Sequence, residues 1–365
     1  MFGLKKKISK DRMLVIDVGT QYVKVLTLTI KNDQIKLNDY RILNVIQGGK
    51  RFVIKEISKI VRKSIMDMKL TNKFALTSLS GKSVIVRIVD MPIMTLRELK
   101  SSLKYQTDLH IPFDINEALV DCQILPNHPA PEGKMKVLIA AAPRKDAARV
   151  LDVVRGAGLI LRRVDVDVIS LANAFEWGMK DVKDDSAPFA LVNMGASRTN
   201  LTIMHKGMIG LCRELNYGGI SFTETIAAGL ECSFDEAEEK KIIGDPEVLK
   251  YIQEALKPLS SSLVQSFDFF ESSMGVHVDK VYISGGGALI RGIVDYLKEE
   301  LYRNVLVWNP LRSVDIEGLA EKEKELLQQN SPLLTIAMGI GFGETAPPTA
   351  SIKPQTSLGK GGNKK

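Results

Sequence analysis

The stretch Val15 to Leu28, VIDVGTQYVKVLTL, decides how the rest of the chain is read. An apolar strand runs into Asp17-Val18-Gly19-Thr20, turns through Gln21 and returns as an alternating strand from Tyr22 to Leu28. Such a hairpin can hold a phosphate: Gly19 lets the backbone approach closely, and the amides of Gly19, Thr20, Gln21 and Tyr22 can point inward as an anion nest. Asp17 stands opposite those amides, placed for a hydrated Mg²⁺ rather than for the phosphate itself. Taken alone, a strand ending in D-x-G also reads as an ordinary turn.

Internal similarity adds weight to the phosphate reading. Ala190 to Leu201, ALVNMGASRTNL, repeats the pattern of apolar strand, polar residue, x-Gly, small polar turn and alternating strand. Asp17 aligns with Asn193, Gly19 with Gly195, Gln21 with Ser197 and Lys24 with Asn200, at an offset of 176 residues in a chain of 365. Two homologous halves are implied, each with one phosphate hairpin, and Arg198 and Thr199 join the candidate contacts of the second. A third glycine cluster lies in Val281 to Ile293, VYISGGGALIRGI, where a buried strand enters Ser284-Gly285-Gly286-Gly287-Ala288 and then a helix over Leu289 to Leu301. Its glycines let something flat lie against the backbone, although a helix entry with no ligand would look the same.

Length and composition set the frame. A chain of 365 residues exceeds one core and implies two lobes, and 45% hydrophobic with 25% charged residues describes a globular protein. Cys122, Cys212 and Cys232 have neither disulfide nor zinc spacing and read as core residues in a reducing compartment. No apolar run approaches a transmembrane helix or a signal peptide. The net charge of +7 is carried by the ends: residues 1–12 hold +4 and residues 346–365 another +4, leaving about −1 on the body. That distribution leaves no basic footprint for nucleic acid. The first arm can touch an anionic leaflet weakly, at about 1 kcal/mol per basic residue.

Along the chain, a strand at Gln34 to Val45 is followed by a helix at Phe52 to Met68, with strands at Phe74 to Ser80 and Val84 to Asp90. Thr95 with Glu98 three residues on predicts a capped helix to about Asp108. Strands at Ala118 to Leu125 and Lys136 to Ala142, a helix at Lys145 to Gly156 and a strand at Ile160 to Val166 complete a compact insertion. Ile169 to Met179 reads as the helix joining the lobes, and of Asp165 and Asp167 before it, Asp167 is the better placed to face a cleft. Later helices are expected at Ile220 to Leu230, Phe234 to Ile243, and from Pro246 to Met274 with a break near Pro258. Leu333 to Phe342 is a late apolar helix whose Gly339 and Gly341 let the lobes approach. The tail APPTASIKPQTSLGKGGNKK has the composition of disorder.

The three glycine segments occur in the order and spacing of the actin, sugar kinase and Hsp70 superfamily. More narrowly, FGLKKK at the start, IPFDINEALVDCQIL (Ile111 to Leu125), VDVDVISLANAF (Val164 to Phe175) and SGGGALIRGI resemble the PilM family of type IV pilus assembly proteins. The resemblance implies an α/β, actin-like (ribonuclease H-like) two-lobe fold with an FtsA-type inserted subdomain. It implies ATP or ADP with Mg²⁺, held by Asp17, Gly19, Thr20, Gln21, Tyr22, Lys24, Asn193, Gly195, Ser197, Arg198, Thr199, Gly285, Gly286, Gly287, Ala288 and Gly339. Ala237-Glu238-Glu239-Lys240-Lys241 is similar to a segment lying along adenine and ribose in actin-like proteins, which adds Glu238 and Lys241. In the family the insertion walls a groove for the N-terminal peptide of the membrane partner PilN, at the cytoplasmic face of the inner membrane beside other platform and motor proteins. The apolar cluster Met91, Ile93, Met94 and Leu96 suits such a groove and equally suits a core. The sequence leaves a homo-oligomer open.

The domain reading is a basic arm (1–12), lobe one (13–88), the insertion (89–164), an interdomain helix (165–187), the start of lobe two (188–215), a helical subdomain (216–276), the remainder of lobe two (277–343) and a tail (344–365). Active superfamily members carry Asp where this chain has Asn193, so hydrolysis is expected to be slow or absent and nucleotide to act as a clamp. A small-molecule kinase or an FtsA-like division protein is the alternative. The kinase needs an acid that the second hairpin lacks, and the FtsA-like protein needs an amphipathic terminal helix that the tail lacks.

Overall fold

The computed structural model describes residues 12–31, 34–81, 84–106, 111, 113–125, 130–179 and 187–344. The basic arm up to residue 11, the end of the helix expected at 107–108, part of the interdomain segment expected at 165–187 and the tail from 345 lie outside them.

The first lobe begins with strands β1 (Met13–Val18), β2 (Tyr22–Lys31) and β3 (Gln34–Asn44), a two-strand ribbon β4 (Ile46–Gln47) and β5 (Lys50–Arg51), helix α1 (Ile54–Asp67) and β6 (Phe74–Leu79). Then come β7 (Ile85–Pro92), α2 (Leu96–Gln106), β8 (Ala118–Leu125), β9 (Lys134–Pro143), α3 (Arg144–Gly156), β10 (Ile160–Val166) and α4 (Asp167–Met179). The second lobe has β11 (Phe189–Met194), β12 (Thr199–His205), β13 (Met208–Leu215), α5 (Gly219–Leu230), α6 (Phe234–Ile243), α7 (Leu249–Met274), β14 (Lys280–Ser284), α8 (Ile293–Leu301) and β15 (Asn304–Val307). The chain closes through β16 (Val314–Asp315), α9 (Glu321–Gln329) and α10 (Thr335–Phe342).

The two main sheets have one topology. Lobe one orders its strands β3-β2-β1-β6-β10, with β16 added beyond β3, and lobe two orders them β13-β12-β11-β14-β15. In each, the first strand runs antiparallel to the second and parallel to the fourth. The duplication read from two short motifs thus extends over whole lobes.

Alternation along β1 explains the layering. Leu14 and Ile16 face α1 and α3, packing with Val61, Ile65, Val153 and Val154, while Val15 faces the interlobe helices with Leu171, Phe175 and Phe342. All seven residues of β12 are buried, because α4 covers one face and the α5–α7 layer the other. The core between the lobes is therefore continuous, built on α4 and α10 lying against each other. Their backbones nearly touch: a Cβ on Gly339 would fall 1.7 Å from the Ser170 carbonyl oxygen.

The sheets draw the insertion differently from the expected 89–164. The inserted sheet is β7-β9-β8, antiparallel throughout and covered by α2. β7 belongs to it rather than to lobe one, whereas α3 packs on α1 and β10 pairs parallel with β6 in the lobe-one sheet. The pairing that decides this joins Ile160 to Phe74, far apart in sequence. The expected cap on α2 is present, with the Glu98 amide donating to Thr95 Oγ1 at 3.3 Å and the Thr95 amide to Glu98 Oε2 at 2.7 Å. Met91 and Met94 pack with Leu99, Leu103, Val137 and Ile139 as a small core, and only Ile93 and Leu96 remain exposed.

Two helix expectations also change. α7 runs unbroken through Pro258, whose flanking turns are buried through Leu256, Leu259 and Leu263. Burial of that stripe outweighs the one hydrogen bond that proline removes. The helix expected from Leu289 starts only at Ile293. A short turn over Gly286–Leu289 precedes it, and Gly292 sits at φ +79°.

Candidate functional site

The two hairpins end in turns of equal length. Val18 pairs with Val23 and Met194 with Thr199, so residues 19–22 and 195–198 are the paired four-residue turns. In each, a glycine at the first position relieves the same crowding, more severe in the first turn than in the second. A Cβ on Gly19 would lie 2.6 Å from the Tyr22 carbonyl oxygen, and one on Gly195 3.0 Å from that of Arg198. The turns meet across the lobes, with Thr20 Oγ1 2.8 Å from Ser197 Oγ.

Between them and the Gly285–Gly287 turn lies a cleft of about 210 Å³. Its wall includes Asp17, Gly19, Thr20, Gln21, Tyr22 and Lys24 from lobe one, and Asn193, Gly195, Ser197, Arg198, Glu238, Lys241, Gly285, Gly286 and Gly287 from lobe two. These segments lie far apart in the chain and reach one surface only through the two-lobe topology. Gly285, at φ +79°, donates its amide to the Pro332 carbonyl at 2.9 Å; a Cβ there would sit 2.4 Å from the Met194 carbonyl oxygen. The turn therefore lies hard against β11 and leaves its other side open to the cleft.

Three expected site residues are not in that wall. Thr199 is buried in β12 and donates to the Tyr217 carbonyl at 2.8 Å. Ala288 is turned into the lobe-two core. Gly339 stands at the α4–α10 crossing, where its missing side chain serves helix packing.

The register partners at the base of each hairpin differ in charge. Asp17 faces Lys24, and their side chains pair at 2.9 Å, both largely buried. At the same place in lobe two, Asn193 faces Asn200. Asn193 Oδ1 accepts from Ser284 Oγ at 3.1 Å, while the buried Asn200 Oδ1 has no partner. Asp167, at the start of α4, adds a carboxylate to this floor and accepts a hydrogen bond from Ser78 Oγ. Burial and the Asp17 charge push its carboxyl up to about 7. Asp165 turns away, pairing with Arg163 at 2.7 Å in a buried cluster with Glu344; burial raises it to about 6.

On the lobe-two wall of the cleft, Glu238 and Lys241, both from α6, form a knot. Lys241 Nζ donates to Glu238 Oε2 at 2.6 Å, Thr223 Oγ1 at 2.7 Å and the Gly219 carbonyl at 3.0 Å. Gln21 reaches across from lobe one to donate to Glu238 Oε1 at 2.9 Å. Burial alone would raise the Glu238 carboxyl, but the Lys241 charge and the converging donors hold it below its ordinary value; burial lowers Lys241. Ile242 and Leu289 are exposed beside this knot and give that wall an apolar rim.

Several wall residues carry no motif of their own. Asn330 and Leu333 arrive with the turn before α10, Ile336 with the start of α10 itself, and Gly219 with the start of α5. Asn200 was legible through its alignment with Lys24. Among the described residues, no cluster of three or more His, Cys, Asp or Glu side chains forms a metal site, and no helix is long and apolar enough to cross a membrane.

Comparison with known proteins agrees with this architecture. The sequence pattern of the family described as type IV pilus assembly protein PilM matches residues 15–344. Among solved structures, a PilM-PilN type IV pilus biogenesis complex superposes with a TM-score of 0.80 at 24% identity, over 92% of this chain and 99% of that one. The ethanolamine utilization protein EutJ from Carboxydothermus hydrogenoformans gives 0.54 at 15% identity, over 92% and 90%. MreB5 of Spiroplasma citri bound to ADP gives 0.51 at 12% identity, over 92% and 97%. The fold is thus shared with actin-like proteins.

Proposed function

The chain belongs to the PilM family of type IV pilus assembly proteins, and from that premise we propose that it is a nucleotide-binding scaffold of the pilus assembly platform. The observation that carries this reading is the convergence of two matching glycine hairpins and a third glycine turn on one interlobe cleft. Each segment offers backbone without side-chain bulk, which is what phosphates and a flat base require. Gly19 and Gly195 with their turns are the phosphate cradles, and the Gly285–Gly287 turn with Ile242, Leu289, Glu238 and Lys241 is the nucleoside end. Asp17 is the carboxylate for a metal's water shell. Asp17 and Asp167 share the cleft floor with Lys24, and a divalent cation there would favour the ionised form of both carboxyls. Mg²⁺, when bound with nucleotide, supplies that charge.

The second hairpin is the weak point for catalysis. Asn193 accepts a hydrogen bond but brings no charge to polarise a nucleophile. Asp167, the floor acid not ion-paired with a lysine and raised to about 7, is able to take a proton. The reading is therefore a clamp with slow turnover: nucleotide bridges the lobes, and the inserted sheet beside them receives the extended N-terminal peptide of PilN. A second cavity of about 170 Å³ between β7 and β13, lined by Val84, Val86 and Cys212, is the candidate place for that peptide. The complex of PilM with PilN that this fold resembles supports PilN as the partner. The protein works at the cytoplasmic face of the inner membrane in this reading.

The test is purification without added nucleotide, denaturation, and mass measurement of what is released. Stoichiometric ATP or ADP is expected. An empty protein that also fails to bind added ATP in calorimetry overturns the reading.

A further inference from the structure

One carboxylate is shared between the wall of the cleft and the root of the inserted sheet. Glu214, at the end of β13, has a side chain only 15% exposed. Its Oε1 accepts from Arg198 Nη1, on the turn of the second hairpin, and its Oε2 accepts the Gly81 backbone amide at 3.1 Å. Gly81 lies between β6 and β7, at φ +146°, a conformation that side chains rarely adopt. β13 runs beside β7, and the cavity between them shares Asp167 and Asn200 with the main cleft. Asn200, the register partner of Glu214, carries the unpartnered buried oxygen.

We propose that Glu214 is a positioning residue through which occupancy of the phosphate end of the cleft is passed to the inserted subdomain. This regulation rests on the nucleotide reading above. An anion held by the second hairpin competes with Glu214 for the Arg198 guanidinium, since both are oxygen anions suited to the same donor. Once Arg198 turns to the ligand, Glu214 is left largely buried near Asp167 with the Gly81 amide as its donor. A buried carboxylate that loses its cation is costly to leave in place. Glu214 therefore shifts relative to Gly81, and the root of β7 moves with it. Linkage makes the effect reciprocal: whatever engages the inserted sheet changes anion affinity by the same factor.

The test uses hydrogen exchange of the β7 amides in the full chain. In ligand-free protein, Arg198→Ala removes the guanidinium as a bound anion would, and β7 exchange should change by about fivefold. In a Glu214→Gln background the same substitution should change nothing further. In a second arm, wild type and Glu214→Gln are titrated with ATP and, separately, inorganic phosphate. Both proteins should bind ATP, but only in wild type should β7 exchange respond. An equal β7 response with and without Glu214 overturns the relay. Absence of ATP binding by wild type overturns the nucleotide reading instead, and the Arg198→Ala arm still decides the relay.

Discussion

The two hairpins have one backbone and two chemistries. Both pair their strands up to the residue before the glycine, both turn in four residues, and both press that glycine against the last carbonyl of the turn. At their base, however, hairpin one has the Asp17–Lys24 ion pair, and hairpin two has Asn193 opposite Asn200. The braces differ as well. The Gly19 carbonyl accepts from the exposed Arg51 side chain at 2.9 Å, whereas the carbonyls of Gly195 and Ala196 accept from the Gly219 and Ile220 amides at 2.9 and 2.7 Å. A duplicated fold keeps its turn geometry because backbone sterics enforce it. Nothing steric protects the charge at position 193.

The largest break should come at the ion pair. Asp17→Ala leaves the Lys24 ammonium buried without its partner and should cost about 3–5 kcal/mol. Asn193→Ala, at the matching position, loses one neutral hydrogen bond from Ser284 and should cost about 1 kcal/mol. Urea denaturation of both variants measures the asymmetry, and equal losses would contradict it.

The braces give a smaller contrast. A Cβ on Gly218 would meet the Ala196 oxygen, the Arg198 nitrogen and the Gly195 oxygen at 2.6–2.7 Å, so Gly218→Ala should cost about 1–3 kcal/mol. Arg51→Ala removes one exposed hydrogen bond and should cost under about 1 kcal/mol. A more costly loss at Arg51 than at Gly218 would invert the comparison.

The cleft floor adds a pH dependence of ligand-free stability. Asp167 is raised from 3.8 to about 7, chiefly by burial and then by Asp17. The folded protein therefore binds the extra proton between those values, and stability falls as pH rises through that window. Asp167→Asn removes the penalty, so its melting temperature should exceed that of wild type at pH 8 and converge with it toward pH 4. A wild type that melts higher at pH 8 contradicts the assignment.

What the sequence made legible was local. The hairpins, the triple-glycine turn and the Thr95–Glu98 cap each lie within a dozen residues, where spacing and glycine content translate directly into backbone shape. What it hid was made by distance. β10 joins lobe one through pairing with β6, and no residue near Ile160 announces that partner. Asn330 and Leu333 enter the cleft because the return segment passes beneath it, not because of any motif. Gly339 was legible as a glycine that lets the lobes approach, and it has that place at the α4–α10 crossing, but it was also read as a ligand contact, since both uses ask for the same missing Cβ. Pro258 misled for the opposite reason: a strong local signal yielded to burial along the whole of α7.

In the proposed function the second hairpin keeps a phosphate cradle and lacks the acid of the first. The most direct measurement is ATP turnover by wild type and Asn193→Asp, assayed side by side as phosphate release with ATP binding checked on the same samples. Slow wild-type turnover, raised about tenfold or more in Asn193→Asp, is the predicted result. Brisk turnover by wild type, or an Asn193→Asp protein that binds ATP and hydrolyses it no faster, would contradict the account.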